Sequence, residues 1–235
     1  MSMNYAQYVM RLSQNIGPLG EGISWPTAVP EIIDYAEQRI YRELNLLDTV
    51  VRDTSGVCTA NSRNFTLPTT LGRFVVVDGI NVVTPVGSTV SNGTRNLVTP
   101  ASRDYIDYCW QSNTSPSATT VPTNFAMITD ETVIFGPAPG AAFQVEVIGT
   151  IRPTPLSASN TTTYLSQYLP DLFMSASMVF LALYRKAWVP DAPADAEAQY
   201  MQLLASANAE ENRKRFAGAS WTSKQIEPSA VPQRG

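Results

Sequence analysis

The heptapeptide FQVEVIG at Phe143–Gly149 decides the fold, because its sequence repeats every second residue. Phe143, Val145, Val147 and Gly149 alternate with Gln144, Glu146 and Ile148. Successive side chains of a strand point to opposite faces, so this alternation predicts a strand with one buried face. Working upstream, shorter strands are expected at Asn64–Leu67, Phe74–Val83, Phe125–Ile128 and Thr132–Phe135. Thr129-Asp130-Glu131 reads as a hairpin turn, and Asp78-Gly79 as either a second hairpin turn or a bulge in one long strand. A short helix over Ala101–Trp110, with Tyr105, Ile106 and Cys109 inward, interrupts the strands. The loops Gly87–Asn96 and Gln111–Thr120 are rich in Ser, Thr and Asn.

On both sides the period changes to that of a helix. Tyr5, Val9, Leu12 and Ile16 share one helical face. A second helix is expected over Pro30–Leu47, with Pro30 in the first turn and a buried stripe of Ile33, Ala36, Ile40, Leu44 and Leu47. Arg39 and Glu43 can pair outside that stripe at a spacing of four. After Pro155 helical spacing returns. The segment from Pro170 to Trp188 is apolar almost all round, which predicts burial on several sides, against other helices or another subunit. Phe173, Met178 and Phe180 are its candidate subunit-packing residues. A last helix is expected over Ala194–Ala217, with Ala196, Tyr200, Leu203, Ala207 and Glu210 along one side. Glu210–Lys214 and Glu211–Arg215 are expected to pair on a solvated face. Gly218–Gly235, with Pro228 and Pro232, reads as an extended arm whose large apolar residues are Trp221, Ile226 and Val231.

These elements predict an α+β protein: a helical domain built from both chain ends, with an inserted antiparallel β-rich domain. The expected boundaries are 1–49 and 153–217 for the helical domain, 50–152 for the insert and 218–235 for the arm. Charged residues are only 15% of the chain, so its surface is easier to bury against other chains than that of an ordinary soluble protein. A net charge of −4 without a basic cluster argues against sequence-specific nucleic-acid binding. The start, Met1–Met10, lacks the pattern of a signal peptide, and no apolar run is long enough to span a bilayer.

The chain has no histidine, which removes Ser-His-Asp and Cys-His catalysis and the usual zinc sites. The two cysteines, Cys58 and Cys109, have neither CxxC spacing nor enough partners for a metal, and buried free thiols are expected. Gly17–Gly22 lacks the Lys-Ser/Thr of a phosphate loop. Carboxylate pairs are the remaining catalytic option: Asp104 with Asp107, and Asp130 with Glu131. Each is expected to be solvated. No enzyme, cofactor or metal is expected.

Four strings carry a resemblance: YAEQRIYRELNLLDT at Tyr35–Thr49, LVTPASRDYIDYCW at Leu97–Trp110, FAMITDETVIFGPAPGAAFQVEVIGTIRPTPLS at Phe125–Ser157, and TTTYLSQYLPDLFMSASMVFLALY at Thr161–Tyr184. In this order and spacing the chain resembles the head-to-tail adaptor (connector) proteins of short-tailed bacteriophages, the tail tubular protein A class. The resemblance implies a virion protein at the head–tail interface, a homo-oligomeric ring of twelve copies. It implies a portal protein above, a tail tube or nozzle below, tail fibres nearby, and DNA passing through the lumen unread. On that basis Trp221, Ile226 and Val231 become the portal-docking residues of the arm. A tail-fibre or receptor-binding module is the alternative, given the Ser/Thr-rich β region.

Overall fold

The computed structural model describes residues 2–16, 24–185 and 192–224; in the last two helices side chains are described as far as Ala182 and from Ala194 to Phe216. In chain order the elements are α1 (Tyr5–Ile16), α2 (Trp25–Glu43), β1 (Val50–Val57), β2 (Asn64–Thr66), β3 (Gly72–Thr84) and β4 (Thr94–Pro100). There follow α3 (Arg103–Cys109), β5 (Asn124–Met127), β6 (Thr132–Gly136), β7 (Gln144–Pro153), α4 (Tyr164–Tyr168), α5 (Pro170–Arg185) and α6 (Ala192–Lys224). The protein is α+β. Its contacts divide into a helical unit, Met1–Asp48 with Pro155–Gly235, and a sheet unit, Thr49–Thr154.

In the helical unit α2 begins five residues before the expected Pro30. Ser24 is extended at the N-cap and Pro26 takes the first turn, where a missing N–H costs nothing. Pro30 therefore lies inside the helix. The stripe of Ile33, Ala36, Ile40 and Leu44 is buried as the spacing predicts, and Val29, Ile32 and Leu46 join it; Leu47 is exposed instead. From α1 and the residues before it the inward side chains are Met3, Tyr8 and Leu12, with Tyr5 and Val9 partly covered. Tyr8 stacks on Phe173 of α5 with ring centroids 4.6 Å apart, and its hydroxyl bonds Ser177 Oγ. Phe173 is thus wholly buried in its own chain, while Met178 and Phe180 are partly buried against the same core. Phe180 also stacks on Tyr35 of α2.

The sheet unit has seven strands in the order β1-β7-β3-β4-β5-β6-β2. The expected all-antiparallel insert is corrected here, because β4 and β5 run parallel. The cause is the connection between them: α3 and the loop after it carry the chain back beside Thr99, near the end of β4, and β5 sets out from there in the same direction. β3 runs unbroken from Gly72 to Thr84, and its register against β7 shifts between Phe74 and Val76 and again between Val77 and Gly79. Asp78-Gly79 is therefore a bulge. The backbone of this bulged strand lies so close to β7 that a Cβ at Gly149 would collide with Val76 O. Alternate residues of β7, Val145, Val147 and Ile151, fill the core with Phe65, Phe74, Ile80, Val98 and Phe135. The β5–β6 hairpin closes through Thr129-Asp130-Glu131 as expected. On α3 only Ile106 is buried, while Tyr105 and Cys109 face solvent. Of the two thiols only Cys58 is buried, and it accepts a hydrogen bond from Phe143 N at 3.3 Å.

One expectation about the C-terminus is also corrected. The chain stays helical to Lys224, so Gly218–Lys224 is not extended. A single glycine costs a helix only about 1 kcal/mol, and no proline intervenes before Pro228. The Trp221 backbone belongs to α6; Ile226 and Val231 lie outside the described residues.

Candidate functional site

The candidate catalytic carboxylates are paired with arginines or face water. Asp107 accepts from Arg63 at 2.8 Å and lies 3.6 Å from Arg103, while Asp104 is exposed. Asp130 and Glu131 flank Arg73 at 3.8 and 3.2 Å in the exposed hairpin turn. Among the described residues no group of three or more His, Cys, Asp and Glu could hold a metal ion, and no helix is long and apolar enough to cross a membrane.

What the side chains build instead is a set of fasteners. The first ties α6 to α2. Arg39 donates to both carboxylate oxygens of Glu197, through Nη1 at 2.9 Å, and its Nε reaches Glu43 at 3.2 Å. Its guanidinium also lies 4.2 Å from the centroid of the Tyr200 ring, and Tyr200 donates to Glu43 Oε2 at 2.7 Å. The bidentate hydrogen bond to Arg39 draws the Glu197 pKa down; burial and the Glu43 carboxylate push the Tyr200 hydroxyl up. Sequence spacing foresaw only Arg39–Glu43.

The second fastener lies farther along α6. Glu211 is buried, accepting from Lys214 Nζ at 2.6 Å, from Leu47 N at 3.0 Å and from the Tyr164 hydroxyl at 3.4 Å. Burial raises its pKa, but Lys214, the Leu47 N–H and Tyr164 together outweigh burial and bring it below the ordinary value. Arg215 does not pair with Glu211; it donates to the carbonyl and the side chain of Asn45, at 3.1 and 2.8 Å. Glu211 is therefore not on a solvated face, although Glu210 and Lys214 do pair at 3.1 Å.

Two further acids are buried where periodicity gave no warning. Glu146, outward on β7 by alternation, is only 1% exposed. Asn81 and Arg95 donate to it at 2.8 and 3.1 Å, and Arg52 approaches to 3.8 Å. Glu37 on α2 accepts from Leu156 N at 3.1 Å; burial outweighs that bond and lifts its pKa to about 7.

The same helical unit carries an open groove among its described residues. A groove of about 740 Å³ runs between α1, α5 and α6, lined by Met3, Met174, Met178 and Leu203 among apolar residues and by Asp171 at its rim. Among the described residues no catalytic constellation lines it. Residues 3–225 match the SU10 adaptor protein family. The chain belongs to that family. The match agrees with the bacteriophage head-to-tail adaptor that the four sequence strings resemble, and it makes the chain a structural component of a virion. It names the adaptor as such and not the tail tubular protein A class. No curated protein matches the chain. An SU10 adaptor interacts with portal and tail components of its phage, so its functional residues are those on surfaces; Phe173 is spent on its own core, whereas Met178 borders the groove.

Proposed function

We propose that this SU10 adaptor is a ring of copies, twelve by the resemblance to tail tubular protein A, that joins the portal to the tail tube or nozzle and continues the DNA channel. The family match over nearly the whole chain carries the proposal. The chain acts by binding and needs no catalysis, and DNA slides past a mildly acidic, charge-poor protein without sequence-specific contacts. Tail fibres attach near the same junction. The tail-fibre alternative gains nothing from the match.

The docking arm of this proposal is the end of the chain, with Trp221, Ile226 and Val231 as its apolar anchors. Burying each contributes about 1.5–3 kcal/mol. Fixing backbone on docking costs about 1–2 kcal/mol per residue, so a single arm is weak. Main-chain hydrogen bonding to the portal and the multiplicity of a ring supply the rest. The test is to mix purified portal with full-length chain and with chain lacking 218–235, then measure particle mass and symmetry. The full chain is expected to add a closed ring to the portal and the shortened chain to stay apart. Equal ring addition by both would remove the arm from the account. A full-length chain that ignores the portal would remove the adaptor function.

A further inference from the structure

The sheet unit lacks half a strand. β3 pairs with β7 from Gly72 to Val83, but with β4 only from Ile80 to Thr84. β4 then ends at Pro100 and gives way to α3, having met β5 only at Asn124 and Phe125. Beyond that point β3 and β5 flank a cleft of about 340 Å³, lined by Phe74, Val75, Val77, Met127, Ile128 and Asp130 among others. Arg73 closes its far end, 3.2 Å from Glu131 and 3.8 Å from Asp130.

Both walls of the cleft are strand edges. The Phe125 C=O accepts from Ala101 N at 2.8 Å, on the β4 side of β5. Main-chain groups two residues apart point to the same edge of a strand, so those of Met127 point into the cleft, where no described strand lies. Opposite, the edge of β3 is open from Arg73 to Gly79. Val75 is 55% exposed, Val76 51% and Met127 42%. Natural edges are commonly guarded by Lys or Pro, whereas Phe74-Val75-Val76-Val77 is an apolar run of the kind that recruits another strand.

We propose that the cleft receives an extended, proline-free segment of another virion protein, which adds the missing strand between β3 and β5. The walls dictate this occupant. A strand bonded on both edges has no place for proline. It must also be free on both edges beforehand, and every described strand of this chain already pairs on at least one, so a second copy has none to lend. The remaining stretches of the chain are unsuited by sequence. Residues 225–235 include Pro228 and Pro232, 17–23 include Pro18 and three glycines, and 186–191 are a short link between α5 and α6 that includes Pro190. Asp78, Asp130 and Glu131 around the cleft outnumber Arg73, so the entering strand carries a Lys or Arg. The inference rests on the adaptor function proposed above and gives it a second docking point, apart from the arm.

The experiment is amide hydrogen exchange on the full-length chain: alone, with purified portal, and with portal plus purified tail tube or nozzle protein. The Met127 amide is expected to exchange fast in the chain alone and about tenfold or more slowly once the protein that owns the strand has joined. The Ala126 amide, which faces β6, should not change. Met127→Pro removes the N–H that faces the cleft, and Asp78→Lys reverses a charge beside it. Each is expected to weaken binding of that partner about tenfold or more while keeping the wild-type circular dichroism. Asp78→Lys, at an exposed position, decides the matter should the proline variant not fold. Slow exchange at Met127 in the chain alone, or in a ring of this chain alone, would show the cleft already filled and overturn the proposal. Undiminished binding by the variants would overturn it too. Portal and tail proteins that join with Met127 exchange unchanged would remove the strand and leave the adaptor function standing. A chain that joins neither would overturn both.

Discussion

In the sheet unit, partners are chosen by main-chain register: β3 and β7 share an antiparallel ladder that runs from Gly72↔Pro153 to Val83↔Gln144, and the side chains follow. In the helical unit, side chains choose. α6 is held by Arg39 and Tyr200 near one end and by Glu211 and Arg215 near the other, against residues about 160 positions away in sequence. The difference shows why one unit announces itself in a sequence and the other does not. A ladder imposes a period of two on everything it touches, whereas a polar fastener needs only one residue at each end.

The contrast breaks most sharply at the aromatic centre of the helical unit. Phe173→Ala removes a wholly buried ring and its stack on Tyr8, and is expected to cost about 3–5 kcal/mol in denaturant unfolding. A loss below 1 kcal/mol would mean that the polar fasteners alone hold these helices. Glu37 tests the same unit through pH. Its carboxyl titrates near 4.5 ordinarily and near about 7 when folded, so between these values the folded chain binds the proton that the unfolded chain has lost. Stability from this group is therefore complete below about pH 4.5, falls as pH rises toward about 7, and is flat above. Glu37→Gln keeps an acceptor for Leu156 N but cannot ionise. The variant is expected to gain on wild type by roughly 3 kcal/mol between pH 4 and pH 8. A constant difference across that range would refute the burial of this acid. In the sheet unit the smallest effect is expected. Glu146→Gln leaves Arg52 and Arg95 without their counter-charge, but both arginines reach water, so the cost should be about 1–2 kcal/mol. A loss as large as that of Phe173→Ala would show that this unit also depends on a polar centre.

Much of the architecture was open to reading from residues alone. The buried face of Phe143, Val145 and Val147, the stripe of Ile33, Ala36, Ile40 and Leu44, and the turn at Thr129–Glu131 are as the spacing predicts, while Glu146 on the opposite face of β7 is buried against that expectation. The direction of β5 relative to β4 was not legible, since a strand has the same period whichever way it runs. Tyr8 was passed over because its partners, Phe173 and Ser177, lie far off in sequence. Along α6 the expected face ran through Tyr200 and Ala207 to Glu210, where the buried acid is Glu211. Charge at a helical position signals solvent by default, and here the charge is covered by Lys214, Tyr164 and the Leu47 N–H. The groove had no signature at all, for its methionines and leucine come from the segment before α1, from α5 and from α6.

Arg215 grips Asn45 directly beside Phe216, and Glu211 holds Leu47 one turn earlier. Both gripped residues lie in the short stretch that leads from α2 into β1. A tug on the far half of α6 is therefore felt first at the doorway to the edge strand, as a tug on a handle is felt at the hinge. Load arriving through that helix would bypass the aromatic centre and reach residues 45–47 along a line of charged grips.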